Sequence, residues 1–240
     1  MSATSEMVIE RFFEVLIQGD RRGARQIVAE QTASGVDAES VLTELYWPAH
    51  QLIDRLFRND QLSSLSHRVA TRLLSVLIAQ TAAEMGELPD AEGLGKSVFV
   101  YCGPNESDEI AANLLIELLE RHGYTTVFAG GQIPCDELLS QLHESRPDAF
   151  VTFCASPKDL PELRAMLSEL HSGGVCPGTQ VILGGGVFAR AEGLAEEMGA
   201  DATANDPVGI VDIIANQSDL RADPSERDTT RRRGPSRQAA

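Results

Sequence analysis

The chain reads as an α/β protein, an N-terminal helical-bundle cap followed by a flavodoxin-like, doubly wound, five-stranded parallel sheet. Three observations predict this. Residues 5–85 carry apolar side chains at helical spacing, whereas after residue 96 short β-branched runs alternate five times with amphipathic stretches. Between them lies GELPDAEGLGK, with glycines, a proline and acids but no periodicity. The expected boundaries are a cap over 1–85, a linker over 86–96, an α/β domain over 97–216 and a disordered tail over 217–240.

In the cap, Phe12, Phe13, Leu16 and Ile17 make one apolar face, Gly19-Asp20 interrupts, and a second run covers 24–33. Asp37 is a plausible N-cap after the Gly35 turn. Val41, Leu42 and Leu45 precede Pro48; Leu52, Ile53, Leu56 and Phe57 follow it. The run from His67 to Met85 has an apolar face broad enough to sit among neighbours, so four or five helices are expected.

Past the linker, the strands are expected at 97–102, 125–129, 149–155, 179–183 and 201–204. A first helix, with Ile110, Leu114, Leu115, Leu118 and Leu119 on its apolar face, follows the first strand, and further helices are expected at 134–145, 157–171, 189–198 and 207–215. Each crossover should be right-handed, and the ligand crevice should lie beyond the carboxyl ends of the strands. The last residues offer little but Leu220 and alanines to bury, which predicts disorder.

Composition narrows the function. The chain has 240 residues, a hydrophobic fraction of 42% and a formal charge of −16, which opposes general nucleic-acid binding. No run approaches a membrane span, and MSATSEMVIERFFE lacks the basic end and apolar centre of a secretion signal, so a cytoplasmic protein is expected. Cys102, Cys135, Cys154 and Cys176 form no C-x-x-C pair, which favours reduced thiols over zinc. CGPNESDE lacks a dinucleotide fingerprint, and Cys154-Ala155-Ser156 stands where a phosphate-accepting receiver would need an aspartate. No acid–base pair or activated nucleophile stands out.

The segment SVFVYCGPNESDEIAANLLIELLERHGY reads as a buried strand, a polar loop and a long amphipathic helix. VILGGGVFAR ends another strand in glycines, which either make a tight turn or let a bulky ligand approach backbone. Asp108 reads either as a helix N-cap or as a group facing a ligand.

Together with the rest of Ser97 to Ala215, these segments resemble the cobalamin-binding domain of corrinoid proteins. That family's first loop follows Asp-x-His-x-x-Gly, its histidine replacing the cofactor's own base under cobalt. The matching positions here run from Glu106 through Ser107, Asp108, Glu109 and Ile110 to Ala111, so the histidine has become Asp108 and the glycine Ala111. A carboxylate is a harder ligand for cobalt than imidazole, so the resemblance implies a corrinoid with its own base or water below the metal. Gly184 and Gly185 match a Gly-Gly pair beside the buried nucleotide tail. Ser156 is the nearest match to a serine after the third strand, although strict alignment puts Phe153 there.

The cap adds to the resemblance. Cobalamin-dependent photoreceptors have a Trp, about ten residues, a Glu-His pair and then Ala-Thr; LFRNDQLSSLSHRVATRLL aligns on Ala70-Thr71. Phe57 then stands at the Trp, and His67 becomes a candidate upper ligand of cobalt. Trp47 and His50 are further candidates for the cap's inner face. The resemblance implies a cobalamin-binding sensor or regulatory module that reads out through a protein partner, with no room before the cap for a DNA-binding winged helix. A homo-oligomer is compatible with it. The alternatives are a corrinoid carrier subunit of a methyltransferase system and a corrinoid-free interaction scaffold.

Overall fold

The computed structural model describes residues 3–85, 95–174 and 176–222. Most of the expected linker (86–94) and most of the expected tail (223–240) lie outside them. The cap starts with α1 (Ala3–Gln18) and α2 (Arg21–Ala33), joined at Gly19-Asp20, where the Asp20 carboxylate accepts the Gly23 N–H and caps α2. Asp37 caps α3 (Ala38–Ser40) by accepting the Ser40 N–H. A π-helical segment, Val41–Tyr46, then leads into α4 (Trp47–Arg58). Pro48 explains it: a proline has no N–H to donate and its ring crowds the carbonyl one turn back. The helix widens instead of breaking, and the Trp47 N–H donates to Leu42 O, five residues earlier.

Helix α5 (Ser64–Glu84) is capped by Ser63 and runs against α1. Phe12 and Tyr46 stack with centroids 5.5 Å apart, and the Tyr46 hydroxyl is 2.8 Å from Thr81 Oγ1. That contact satisfies the phenol where burial pushes its pKa up to about 12.

The sheet follows the expected order, β2-β1-β3-β4-β5, all parallel. Its strands are β1 (Ser97–Cys102), β2 (Thr125–Phe128), β3 (Ala149–Phe153), β4 (Gln180–Gly184) and β5 (Ala202–Ala204). Helices α6 (Glu106–Arg121) and α11 (Pro207–Asn216) cover one face; α7 (Cys135–Ser145), α8 (Leu160–Ser172), α9 (Gly186–Arg190) and α10 (Leu194–Glu197) cover the other. β3 and β4 are buried throughout, as a sheet with helices on both faces requires.

One apolar core runs from Phe12, Leu16 and Ile53 in the cap through Leu74 and Leu115 to Val151 and Ile214. The cap is therefore packed onto the sheet domain through α4 and α5 against α6. The single helix expected over 189–198 is two short helices, because Ala191 is extended and Gly193 takes φ 79°. The fold also continues past 216. Gln180 Nε2 donates to Gln217 O at 2.9 Å, Arg221 Nη2 to Gly178 O at 2.7 Å, and the Ala222 N–H to Asp201 Oδ1 at 2.8 Å. Backbone and polar side chains hold this stretch, which is why apolar content did not predict it.

Candidate functional site

The chain leaves β1 toward β2 on one side and returns to β3 on the other, so β1 and β3 form the topological switch point of the sheet. Above their carboxyl ends lies a cleft of about 340 Å³ between α4 of the cap and the loops after β3 and β4. Ser107, Asp108 and Ala111 line it from α6, Ala155 and Gly185 from the loops, and Trp47 and His50 from α4.

Asp108 is 1% exposed. It occupies the third position of α6 rather than the cap, which is Asn105. Its Oδ2 accepts Asn105 Nδ2 at 3.3 Å, and the Ala155 N–H also donates to the carboxyl. Desolvation outweighs these bonds, and with the nearby Asp159 it raises the Asp108 pKa to about 7. Gly103 makes room for the group, since a Cβ there would lie 2.5 Å from Asp108 Oδ2.

Facing it from the cap, His50 is 5% exposed and packs against Trp47 with centroids 5.3 Å apart. Its Nδ1 is buried without a hydrogen-bond partner. Burial, then His67 and Arg58, depress its pKa to about 3, so the imidazole is neutral. Asp54 accepts the Ser107 hydroxyl at 3.1 Å and ion-pairs with Arg58, tying α4 to α6 across the cleft.

Of the residues singled out in the sequence, Ser107, Asp108 and Gly185 line the cleft together with Trp47 and His50. His67 and Phe57 are not among the lining residues; their rings stack 4.0 Å apart behind it. Glu106 also faces the cap, accepting Thr71 Oγ1 at 3.0 Å and Arg68 Nε at 3.1 Å, with His67 Nδ1 3.9 Å away. It serves as a latch between α6 and α5. Ser156 turns to the Lys158 N–H at 3.3 Å. Gly184 is covered: a Cβ there would lie 2.9 Å from the Phe153 ring and 3.1 Å from Ile210 Cδ1. Gly185 takes φ +101° against the backbone of Cys154, so its glycine is required by the turn itself. Sequence reasoning missed Asp54, Arg58 and Arg190. Their available signal was the Asp54–Arg58 spacing of one helical turn and the lone arginine after the triple glycine.

Burial pushes the Cys102 and Cys154 thiols up to about 12, leaving them protonated and inert. Among the described residues, no group of three or more metal-ligating side chains converges, and no helix is long and apolar enough to cross a membrane.

The B12 binding domain family matches residues 96–211. Among solved structures, the monomethylamine corrinoid protein of Methanosarcina barkeri superposes with a TM-score of 0.74 at 14% identity, covering 87% of this chain and 97% of that one. A cobalamin-binding protein from Desulfitobacterium hafniense DCB-2 gives a TM-score of 0.48 at 16% identity over 86% of this chain and 97% of its own. No curated protein matches the chain.

Cobalamin is the ligand class of this family. The cleft offers such a group apolar and aromatic surface from α4 and an imidazole with a buried, unpaired nitrogen. At the position of a lower histidine it offers a carboxyl, and Phe153 and Ile210 fill the space over Gly184. From α6 the cleft is lined by Ser107, Asp108 and Ala111, with no histidine among them. Residues 96–211 match the B12 binding domain family, and the chain shares its fold, helical cap and parallel sheet, with the monomethylamine corrinoid protein.

Proposed function

We propose that this protein is a non-catalytic sensor or regulatory module that holds a corrinoid between α4 and the carboxyl edge of the sheet and signals through a protein partner. The observation that carries the reading is the buried carboxyl of Asp108 where a carrier of this family would place its imidazole. A group with its pKa raised to about 7 is largely protonated below neutrality and makes a poor cobalt ligand there. Bound cobalamin would supply a cobalt centre whose upper ligand can be exchanged. His50 and Trp47 would line the group from the cap, and the bonds of Asp54 to Ser107 and of Glu106 to Thr71 would hold cap and sheet together around it. The Asp54–Ser107 and Glu106–Thr71 bonds couple α4 and α5 to α6, so the cap is the surface from which a partner would read the site.

The second reading is a corrinoid carrier, favoured by the shared cap-and-sheet plan of the monomethylamine corrinoid protein. The two separate on cobalt chemistry. Protein loaded with methylcobalamin and with hydroxocobalamin should differ in small-angle scattering or in protease cleavage of the cap. It should also resist reduction to cobalt(I) at potentials that reduce free hydroxocobalamin. Ready reduction and remethylation, with no difference between the two loaded forms, would establish the carrier.

A further inference from the structure

Arg58, at the end of α4, and Arg190, at the end of α9, reach the same end of the cleft from cap and sheet respectively. They converge over Gly186, where a Cβ would lie 2.6 Å from Arg190 Nη1 and 3.6 Å from Arg58 Nη1. The missing side chain leaves a gap between two cations. Arg58 pairs through Nη1 with Asp54, and Arg190 Nη2 donates to Ala155 O at 3.0 Å. A guanidinium carries five N–H donors, so each of these contacts leaves a free edge. Among the described residues Arg190 has no carboxylate partner in ion-pairing range. Two arginines this close repel one another, and Asp54 neutralises only Arg58. Burial, and then the neighbouring Arg190, lower the Arg58 pKa.

We propose that Arg58 and Arg190 form an anion subsite over Gly186 that grips a phosphate group and bridges cap to sheet. Planar guanidinium forks match phosphate oxygens in bidentate fashion, which lysines would not. Resting on the corrinoid reading, the anion is the phosphodiester of a cobalamin nucleotide arm. Phe153 and Ile210 fill the space over Gly184, so the arm would have to run outside the sheet, which would bring its phosphate toward the cleft end. The shared chemistry also admits a free phosphate.

The test compares full-length wild type with Arg58→Gln, Arg190→Gln and Arg190→Lys, using hydroxocobalamin, dicyanocobinamide (which has no phosphate arm) and inorganic phosphate. Arg190 ends at the surface, so its variants should keep the wild-type circular dichroism and melting temperature, while Arg58→Gln also breaks the Asp54 pair and should keep the circular dichroism. The glutamine variants are expected to weaken hydroxocobalamin about 10- to 100-fold and to flatten its salt dependence. Cobinamide should bind wild type and variants alike, and Arg190→Lys should recover only part of the loss. Equal weakening of both corrinoids, or of neither, overturns the subsite. If neither corrinoid binds wild type, the corrinoid reading fails by itself. The subsite then stands only if millimolar phosphate shifts the arginine Nε–H resonances of wild type and not those of the glutamine variants; no shift overturns it.

Discussion

The Phe153 ring lies so close to Gly184 that a Cβ on the glycine would stand 2.9 Å from it. Phe153 is 1% exposed and belongs to the core shared with Ile210 of α11. Its removal should cost about 3–5 kcal/mol in urea unfolding, the range for emptying a buried aromatic site. Phe153→Ala should therefore lower the midpoint sharply and open a pocket at the ends of β3 and β4. Near-wild-type stability would mean that the ring is not a packed plug.

Asp108 and His50 predict opposing pH dependences. Asp108 has its folded pKa raised from 3.8 to about 7, so the folded state holds the proton longer and this group's contribution falls as pH rises through that window. His50 has its folded pKa depressed from 6.5 to about 3, so its contribution is present above 6.5 and is lost as pH falls toward 3. Between pH 4 and 6.5 the two slopes have opposite signs and nearly cancel. Asp108→Asn should uncover the histidine slope, up to about 1.4 kcal/mol per pH unit. A flat urea-stability profile for Asp108→Asn over that range would refute the pairing.

Asp108→His tests the lower face from the other side. An imidazole at the third position of α6 would occupy the floor where the carboxyl now points into the cleft. Its loaded visible spectrum should move from the base-on or water form toward imidazole coordination. An identical spectrum, with binding retained, would place the corrinoid away from α6.

The latch at Glu106 should be separable from ligand binding. Glu106→Ala removes the Thr71 hydrogen bond and the Arg68 pair, a loss of about 1–2 kcal/mol for a half-buried charge-assisted contact. Protease should then cut between cap and sheet faster than in wild type. An unchanged cleavage rate would show that the apolar packing of α5 on α6 holds the cap alone.

The sheet order and most element positions were legible because β-branched runs and helical spacing are local signals of burial: Ser97–Cys102 reads directly from SVFVYC. The π-helical segment before Pro48 was not, since a proline signals only that one hydrogen bond is missing. The loop after β1 lies at the switch point, where Ser107, Asp108 and Gly185 line one cleft. The choice between His50 and His67 was beyond reach, because both lie on apolar helices and only tertiary packing decides which faces the cleft. His67 is taken up by the Phe57 ring and the Glu106 latch. The Arg58–Arg190 pair joins residues far apart in the chain, and neither carries a local signature of convergence.

The most direct measurement is retention of colour. Wild type is mixed in the dark with one equivalent of hydroxocobalamin, free ligand is removed by gel filtration, and the visible spectrum is recorded beside that of Gln51→Trp. Gln51 is exposed on α4 and lines the cleft, so the tryptophan blocks the site without disturbing the core; Gly185 would not serve, since any side chain there strains the turn. Expected is about one equivalent retained by wild type, with a base-on or water-ligated spectrum, and loss of colour in Gln51→Trp. A colourless wild-type protein would contradict a corrinoid site between cap and sheet and leave the fold as an interaction scaffold.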